Sequence, residues 1–427
     1  MNRMEERLLK LSDGAVLAKL ETLYGKDPEM IRHQTERRRM LLKKHAELFG
    51  EQEEVLLVSA PGRTEIGGNH TDHNHGRVLA AAVNLDILCA VSPRLDQKVR
   101  FSSEGYPIIE MSLDDLAVRK DEEGTTMALI RGVAAGMAEV GYRIGGFDAA
   151  ATSTVARGSG LSRSAALEVM LTGVLDALYN GFKMPYVQRA QISQMAENRY
   201  FGKPSGLLDQ MASAAGGLVT VDFRSPADPE VRRLQYDFAK KGYRLVVVAT
   251  GGSHADLTDD YAAIPTEMKQ VAAAFGQEVL RGITMERLLE QIGRIRKTTS
   301  DRAILRAMHF IREDERVPEQ VKALEEDRID DFLSLIIASG RSSFMYLQNV
   351  FADNRDQSLS LALAMAEEML HGDGAWRIHG GGFAGTTLNF VPEHKLDAFV
   401  ATMDNAFGQG ACAVLNIRPE GAAYIRL

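Results

Sequence analysis

The chain has 427 residues, of which 45% are hydrophobic and 25% are charged, as expected of a globular protein with a sizeable buried core. Its 50 basic and 58 acidic residues give a formal net charge of −8, which argues against a nucleic-acid-binding protein. The first residues are charged and unlike a signal peptide, and nowhere do about 18 apolar residues follow one another. We therefore expect a cytoplasmic protein with no nucleic-acid or membrane partner.

The first 50 residues space their leucines as in two or three helices, and their basic run at 36–44 is typical of a solvated helix face. We expect this segment to be a helical extension, either packed on the first domain or used as an oligomer contact.

The pattern then changes to strands and helices that occur in clumps. Strands are predicted at 55–58, 78–91, 147–155, 216–222, 244–250, 378–391 and 411–427, and helices at 165–178, 187–200 and through most of 265–370. This mixture indicates two α+β domains. We place the first domain at residues 51–220 and the second at residues 221–427.

Residues 158–166 form a glycine- and serine-rich stretch between a predicted strand and an apolar helix. Small residues let the backbone approach a phosphate closely, and a helix N-terminus offers unpaired N–H groups. The stretch lacks the Gly-Lys-Ser/Thr ending of a Walker A loop and does not match the dinucleotide-binding pattern. By itself it predicts either an anion-binding loop or an ordinary turn whose serines cap the helix.

Residues 61–76 concentrate glycines, an arginine, a carboxylate and three histidines in a predicted turn between strands. Such a set of polar groups suits a ligand rich in hydroxyl groups, because each hydroxyl needs a partner. The spacing of His70, His73 and His75 fits no common zinc pattern, which leaves a metal site as the weaker alternative. A third glycine turn contains Gly380, Gly381 and Gly382 and precedes a strand.

These three segments resemble the signature motifs of the GHMP kinases. The stretch from Gly62 to Gly76 is similar to the galactokinase pattern Gly-Arg-x-Asn-x-x-Gly-Glu-His-x-Asp-Tyr-Asn-x-Gly in particular. Residues 206–210 resemble that family's Gly-Ile-Met-Asp-Gln, and residues 254–261 resemble its His-x6-Tyr segment. The resemblance implies an α+β, two-domain GHMP kinase fold, with a ribosomal-protein-S5-like N-terminal domain, a ferredoxin-like C-terminal domain and here an extra helical N-terminus.

The resemblance further implies ATP-dependent phosphorylation of galactose at its C1 hydroxyl, giving galactose 1-phosphate and ADP. Asp209 would be the base near that hydroxyl and Arg63 would lie beside it, since a guanidinium keeps a carboxylate ionised and steadies a transferring phosphoryl group. A capping role for Asp209 and a structural ion pair of Arg63 with Glu65 are the alternatives. Mg²⁺ would be held by Ser164 and by Glu197, unless the Glu197 side chain points outward to solvent.

The remaining positions that the resemblance assigns are contacts to the two substrates. The sugar contacts would be Asn69, His70, Asp72, Gly206 and Tyr261. The nucleotide contacts would be Gly158, Ser159, Gly160, Leu161, Ser162, Arg163, Ser164 and Ala165. The partners expected are thus a small hexose and ATP, with the protein itself a monomer or a weak homodimer.

The sequence departs from the family at several positions of these loops. Asn69 replaces a glutamate that contacts the sugar's C6 hydroxyl, and Glu65 stands where the family has asparagine. Loss of that negative charge would remove repulsion toward a C6 carboxylate, so galacturonate is an alternative substrate. His73 replaces a tyrosine, and Arg163 replaces a serine of the nucleotide loop.

Two further alternatives concern the class of protein. A non-catalytic galactose sensor on the same fold can lose part of the Ser-Ala pair that starts the nucleotide-loop helix, whereas Ser164, Ala165 and Asp209 are all present here. A kinase of mevalonate or homoserine is disfavoured by residues 69–72, which are galactokinase-like.

Overall fold

The computed structural model describes residues 3–156, 159–251, 257–351, 355–383 and 385–427. Within those residues, no helix has both the length and the apolar character that a membrane span needs. The described residues form two sheets, each covered by helices, so the α+β prediction is confirmed.

The N-terminal segment folds into three helices, α1 (Arg3–Lys10), α2 (Gly14–Tyr24) and α3 (Pro28–Phe49). The Asp27 side chain accepts a hydrogen bond from the Glu29 backbone N–H, and proline fills the first helical position, so the start of α3 is well capped. Leucine side chains of these helices pack on one face of the first sheet and bury it. The extension is therefore part of the first sheet's core.

The first sheet has eight strands among the described residues, in the order β12-β1-β2-β5-β3-β4, with β6 paired to β2 and β7 to β6. Its strands are β1 (Leu56–Gly67), β2 (Arg77–Pro93), β3 (Lys98–Ser103), β4 (Ile109–Ser112), β5 (Phe147–Ser153), β6 (Leu218–Asp222), β7 (Glu230–Leu234) and β12 (Ala423–Arg426). Its other face is covered by α4 (Thr126–Glu139), α5 (Arg163–Tyr179), α6 (Tyr186–Met195) and α7 (Leu208–Ala215).

The second sheet is antiparallel, in the order β11-β8-β10-β9. Its strands are β8 (Tyr243–Ala249), β9 (Ala375–His379), β10 (Thr386–Pro392) and β11 (Cys412–Leu415). The helices of this half are α8 (Thr258–Ala274), α9 (Met285–Glu290), α10 (Ile292–Ile295), α11 (Asp301–Glu325), α12 (Ile329–Ser342), α13 (Ser358–Leu370) and α14 (Leu396–Phe407).

Sheet membership does not follow a single cut in the chain. Strand β7 pairs with β6, and the last strand, β12, returns to pair with β1 in the first sheet. The boundary at residue 220 stays a prediction, but these two strands lie beyond it and belong to the first sheet.

Candidate active site

The strand β1 continues further than the sequence pattern indicated. Residues 61–67 were predicted as part of a turn, yet they pair with β2 as far as Gly67, with register shifts between Pro61 and Arg63 and between Glu65 and Gly67. These irregularities accommodate a proline and two glycines within a ladder. The turn itself therefore comprises residues 68–76, which we call the sugar loop.

Arg63 and Asp209 form the centre of the site. The Arg63 Nε and Nη2 atoms lie 2.6 and 2.8 Å from the two carboxylate oxygens of Asp209, a bidentate pair. Burial works against the charged carboxylate, but Arg63, together with the hydroxyl of Ser162, holds the pKa of Asp209 below its usual value. Asp209 is thus an ionised carboxylate in the first turn of α7, with 29% of its side chain exposed.

The glycine- and serine-rich stretch at residues 158–166, which we call the phosphate loop, meets this pair directly. The backbone N–H of Arg63 donates to the Leu161 carbonyl at 3.0 Å, and its guanidinium also donates to the Gly160 carbonyl. Gly160 has a φ of 71° and packs so closely on His379 that an added Cβ would lie 2.7 Å from the imidazole Nδ1, so glycine is required there.

The members of the predicted nucleotide set differ in their burial. The side chains of Leu161 and Ala165 are buried in the core, so only their backbones remain available to a nucleotide. Ser162 adopts a left-handed conformation just before α5, and Arg163 and Ser164 occupy the first turn of that helix. Ser159 donates to the Ala156 carbonyl, and Gly158 lies outside the described residues.

Asn69 faces the protein interior. Its amide nitrogen donates to Glu65 at 2.9 Å and to the Gly380 carbonyl at 2.7 Å, and its oxygen accepts from Asn349 at 3.1 Å. The residue has no exposed surface. The contact of Asn69 with the sugar stays a prediction, and in the structure its amide is directed toward Glu65, Gly380 and Asn349.

The third glycine turn lies against the sugar loop. The Gly381 carbonyl lies 3.0 Å from the imidazole Nε2 of His70, and the Gly382 carbonyl accepts a hydrogen bond from the Tyr261 hydroxyl at 2.8 Å. Burial lowers the pKa of His70 to about 4, so its imidazole is neutral at pH 7. Burial also raises the pKa of Tyr261 to about 12. Of the predicted segment 254–261, residues 254–256 lie outside the described part of the chain.

Asp72, in the sugar loop, lies directly against Gly206. An added Cβ on Gly206 would overlap the Asp72 carboxylate, so the two predicted sugar contacts come together only because position 206 is glycine. The Asp72 side chain is 17% exposed, and one of its oxygens accepts from the His73 backbone at 3.0 Å. In the described part of the chain, no three His, Cys, Asp or Glu side chains are grouped as a metal site.

Glu197 points inward, so the predicted solvated alternative is wrong. Only 2% of its side chain is exposed, and its oxygens accept from Lys203, Ser205 and Gln210 at 3.1, 2.6 and 2.8 Å. A π-helical turn, Ala196–Phe201, follows α6 and directs this carboxylate. Gln210 also donates to the buried Glu168 at 3.0 Å.

Several residues of the site went unnoticed in the sequence. Glu313 in α11 accepts from the backbone N–H groups of Gly68 and Asn69 at 3.2 and 3.3 Å, and His309 lies 3.0 Å from the Asn69 carbonyl. Both are fully buried and fix the sugar loop from the second domain. The sequence feature that could have indicated Glu313 and His309 is that both are polar residues on the apolar side of a predicted helix.

Comparisons with known proteins agree with this geometry. A family profile described as the galactokinase galactose-binding signature matches residues 43–93, and the GHMP kinases N terminal domain matches residues 128–217. Galactokinase from Streptomyces coelicolor is 33% identical over 366 residues, which span 84% of this chain and 90% of that protein. Galactokinase from Enterococcus faecalis is 29% identical over 86% of this chain and 93% of that protein.

Solved structures give the same result for the fold. Lactococcus lactis galactokinase in complex with galactose has a TM-score of 0.77 and 25% identity, covering 89% of this chain and 98% of that one. Methanococcus jannaschii mevalonate kinase has a TM-score of 0.59 at 13% identity, covering 88% and 98% of the two chains.

The fold and the three converging glycine-rich segments thus define a GHMP kinase, as the sequence predicted. Within that class, the galactose-binding signature and the extent of the match to bacterial relatives decide the group. The chain belongs to the galactokinase family.

Proposed function

We propose that this chain transfers the terminal phosphoryl group of ATP to the C1 hydroxyl of galactose, giving galactose 1-phosphate and ADP. The observation that carries the proposal is the Arg63–Asp209 pair, which lies against the phosphate loop at Gly160 and Ser162. The sugar loop leaves the same strand four residues after Arg63.

Asp209 accepts the proton of the C1 hydroxyl as the bond from that oxygen to phosphorus forms and the bond to the leaving ADP oxygen breaks. A carboxylate within reach of the hydroxyl contributes in this way as a general base. Arg63 holds the carboxylate ionised and oriented, and its positive charge opposes the charge that spreads over the transferring phosphoryl oxygens.

The residues near Glu197 fit a magnesium ion, which would neutralise phosphate charge when bound. Glu197 and Ser164 would hold it, and both offer hard oxygen ligands. The buried oxygens Glu168 Oε1 and Gln210 Oε1 of the same cluster lack a hydrogen-bond partner among the described residues, as expected where a cation or its water completes the set. The pairing of Ser164 with Glu197, the cytoplasmic location and the monomer or weak homodimer stay predictions.

The structure weakens the reason for the galacturonate alternative. That hypothesis depended on Asn69 facing the sugar, but the Asn69 amide is buried and bonded within the protein. The sensor alternative has no support at Asp209, which keeps the ionised state that a base requires.

A coupled assay of ADP release tests the proposal. The sugars should include galactose, N-acetylgalactosamine, galacturonate, glucose and arabinose. We expect galactose to be the strongest stimulant, with turnover dependent on both ATP and Mg²⁺. Turnover of galacturonate without galactose would contradict the substrate assignment, and binding of galactose with no ADP release would favour the sensor.

A further inference from the structure

The side chain of Lys203 extends from solvent to the buried Glu197. Its ammonium lies 3.1 Å from Glu197 Oε1, yet 58% of the lysine side chain is exposed, against 2% for the glutamate. The backbone N–H of Lys203 also donates to the Glu197 carbonyl at 3.1 Å. The lysine stem therefore lies along the π-helical turn with its charged end reaching inward from solvent.

Lys203 lies close to the proposed base. Its partner Glu197 accepts a hydrogen bond from Gln210 at 2.8 Å, and Gln210 directly follows Asp209 in α7. A single carboxylate thus links the Lys203 ammonium to the residue next to Asp209.

Glu197 does not depend on the lysine for its hydrogen bonds. Its other oxygen accepts from the Ser205 hydroxyl and the Gln210 amide, and both bonds stay in place if the lysine moves. Because 58% of the lysine side chain is exposed, water can solvate the ammonium when it leaves, and the two remaining hydrogen bonds offset part of the loss at the buried Glu197.

The phosphates of ATP would lie near the carboxylates Glu197 and Asp209, so cations are needed to offset the repulsion between negative charges. Arg63 is already committed, because three of its nitrogens donate to Asp209 and to the Gly160 carbonyl. Asp209 is in turn held against the phosphate loop, because Arg63 donates both to Asp209 and to the Gly160 carbonyl. A lysine ammonium on a flexible stem is well suited to follow a phosphate group.

We propose that Lys203 is a phosphate-binding residue, which leaves Glu197 and contacts the terminal phosphates of ATP when the nucleotide binds. The proposal rests on the proposed kinase function. Release of Glu197 at the same moment frees one of its oxygens for a further ligand, so the lysine couples nucleotide arrival to the availability of that carboxylate.

The test measures nucleotide affinity rather than turnover. Adenylyl imidodiphosphate and AMP are titrated by calorimetry into the wild type and the Lys203→Met and Lys203→Arg variants, with Mg²⁺ and with EDTA. Lys241→Met is the matched control, because Lys241 also pairs with a carboxylate, at 2.6 Å from Asp327, but lies in the second half of the chain outside the site. Galactose affinity and the melting temperature show that each variant is folded.

We expect Lys203→Met to bind adenylyl imidodiphosphate about tenfold more weakly in both buffers and AMP within about twofold, since an ammonium–phosphate bond is lost only for the triphosphate analogue. Lys203→Arg should recover most of the loss, and Lys241→Met should bind as the wild type does. Unchanged affinity of Lys203→Met for the analogue would overturn the proposal. A wild type that binds galactose but neither nucleotide would instead overturn the kinase function itself.

Discussion

Two arginine–carboxylate pairs each have one member on β1, two residues apart, and they differ in how far they are exposed to solvent. Arg63 pairs with Asp209, whose side chain is 29% exposed, whereas Glu65 pairs with Arg377, whose side chain is not exposed at all. The pKa of Asp209 lies below its usual value, while burial raises the pKa of Glu65 in spite of Arg377. The two pairs have the same chemistry but different roles. The Arg63–Asp209 pair, which we call the site pair, keeps the proposed base ionised and partly exposed. The Glu65–Arg377 pair, which we call the sealed pair, is buried and joins the first sheet to the second.

The largest effect on activity should come from the site pair, Arg63 and Asp209. Asp209→Asn keeps the shape of the side chain but removes the base, so we expect kcat to fall about 10²- to 10⁴-fold. The free energy of unfolding should fall by less than when a fully buried pair is broken, because 29% of the Asp209 side chain is exposed and the asparagine oxygen can still accept from Arg63. Steady-state kinetics and denaturant unfolding of the same preparation measure both. Full activity in Asp209→Asn would show that the base is wrongly assigned.

The sealed pair should show the reverse pattern. Arg377→Met removes the guanidinium from Glu65 and from the carbonyls of Ile66 and Ile378, all of which are buried. Breaking such a buried pair costs about 3–5 kcal/mol, which urea unfolding should detect. At a temperature where the variant is folded, kcat should fall far less than in Asp209→Asn. A stability equal to that of the wild type would remove the distinction between the two pairs.

A smaller effect on activity is expected where Gly206 contacts the sugar loop. Gly206→Ala places a methyl group against the Asp72 carboxylate, so Asp72 must move. We expect the KM for galactose to rise about tenfold, which corresponds to one lost hydrogen bond to a charged group. Gly293→Ala is the matched control, since an added Cβ there meets nothing within 4 Å. Equal KM values for the two variants would show that Asp72 does not bind the sugar.

The effect that is smallest near pH 7 concerns the protonation of His70. His70 is neutral in the fold with a pKa of about 4, against a usual value of 6.5, so the unfolded chain binds more protons between these values. Stability from this residue is complete above pH 6.5 and is lost as the pH falls toward 4, by at most about 1.4 kcal/mol per pH unit. Thermal melting between pH 7 and 4 should show a shallower slope in His70→Asn than in the wild type. Identical slopes would contradict the buried neutral imidazole.

Much of the fold was accessible from local pattern. The spacing of apolar residues predicted a helix at 165–178, and α5 covers Arg163–Tyr179. The motif resemblance also placed Asp209 beside Arg63, although they are 146 residues apart. Short-range signals gave no indication that β12 pairs with β1, because strand pairing at such a distance depends on the whole topology.

What escaped prediction was the direction in which polar side chains point. Asn69 was assigned to the sugar by its position in a motif, but its amide bonds to Glu65, Gly380 and Asn349. Glu65 and Arg377 are 312 residues apart and carry no shared sequence signal. Lys203 carries no sequence signal of its own, and its pair with Glu197 depends on the inward direction of that carboxylate.

The position of the phosphate on the product tests the central claim most directly. The wild type is incubated with ATP, Mg²⁺ and galactose labelled with ¹³C at C1, and the product is observed by ¹³C and ³¹P NMR. We predict that the C1 resonance splits by coupling to phosphorus and that one ADP forms for each galactose 1-phosphate. A phosphate on another carbon, or ADP released without any phosphorylated sugar, would contradict the account.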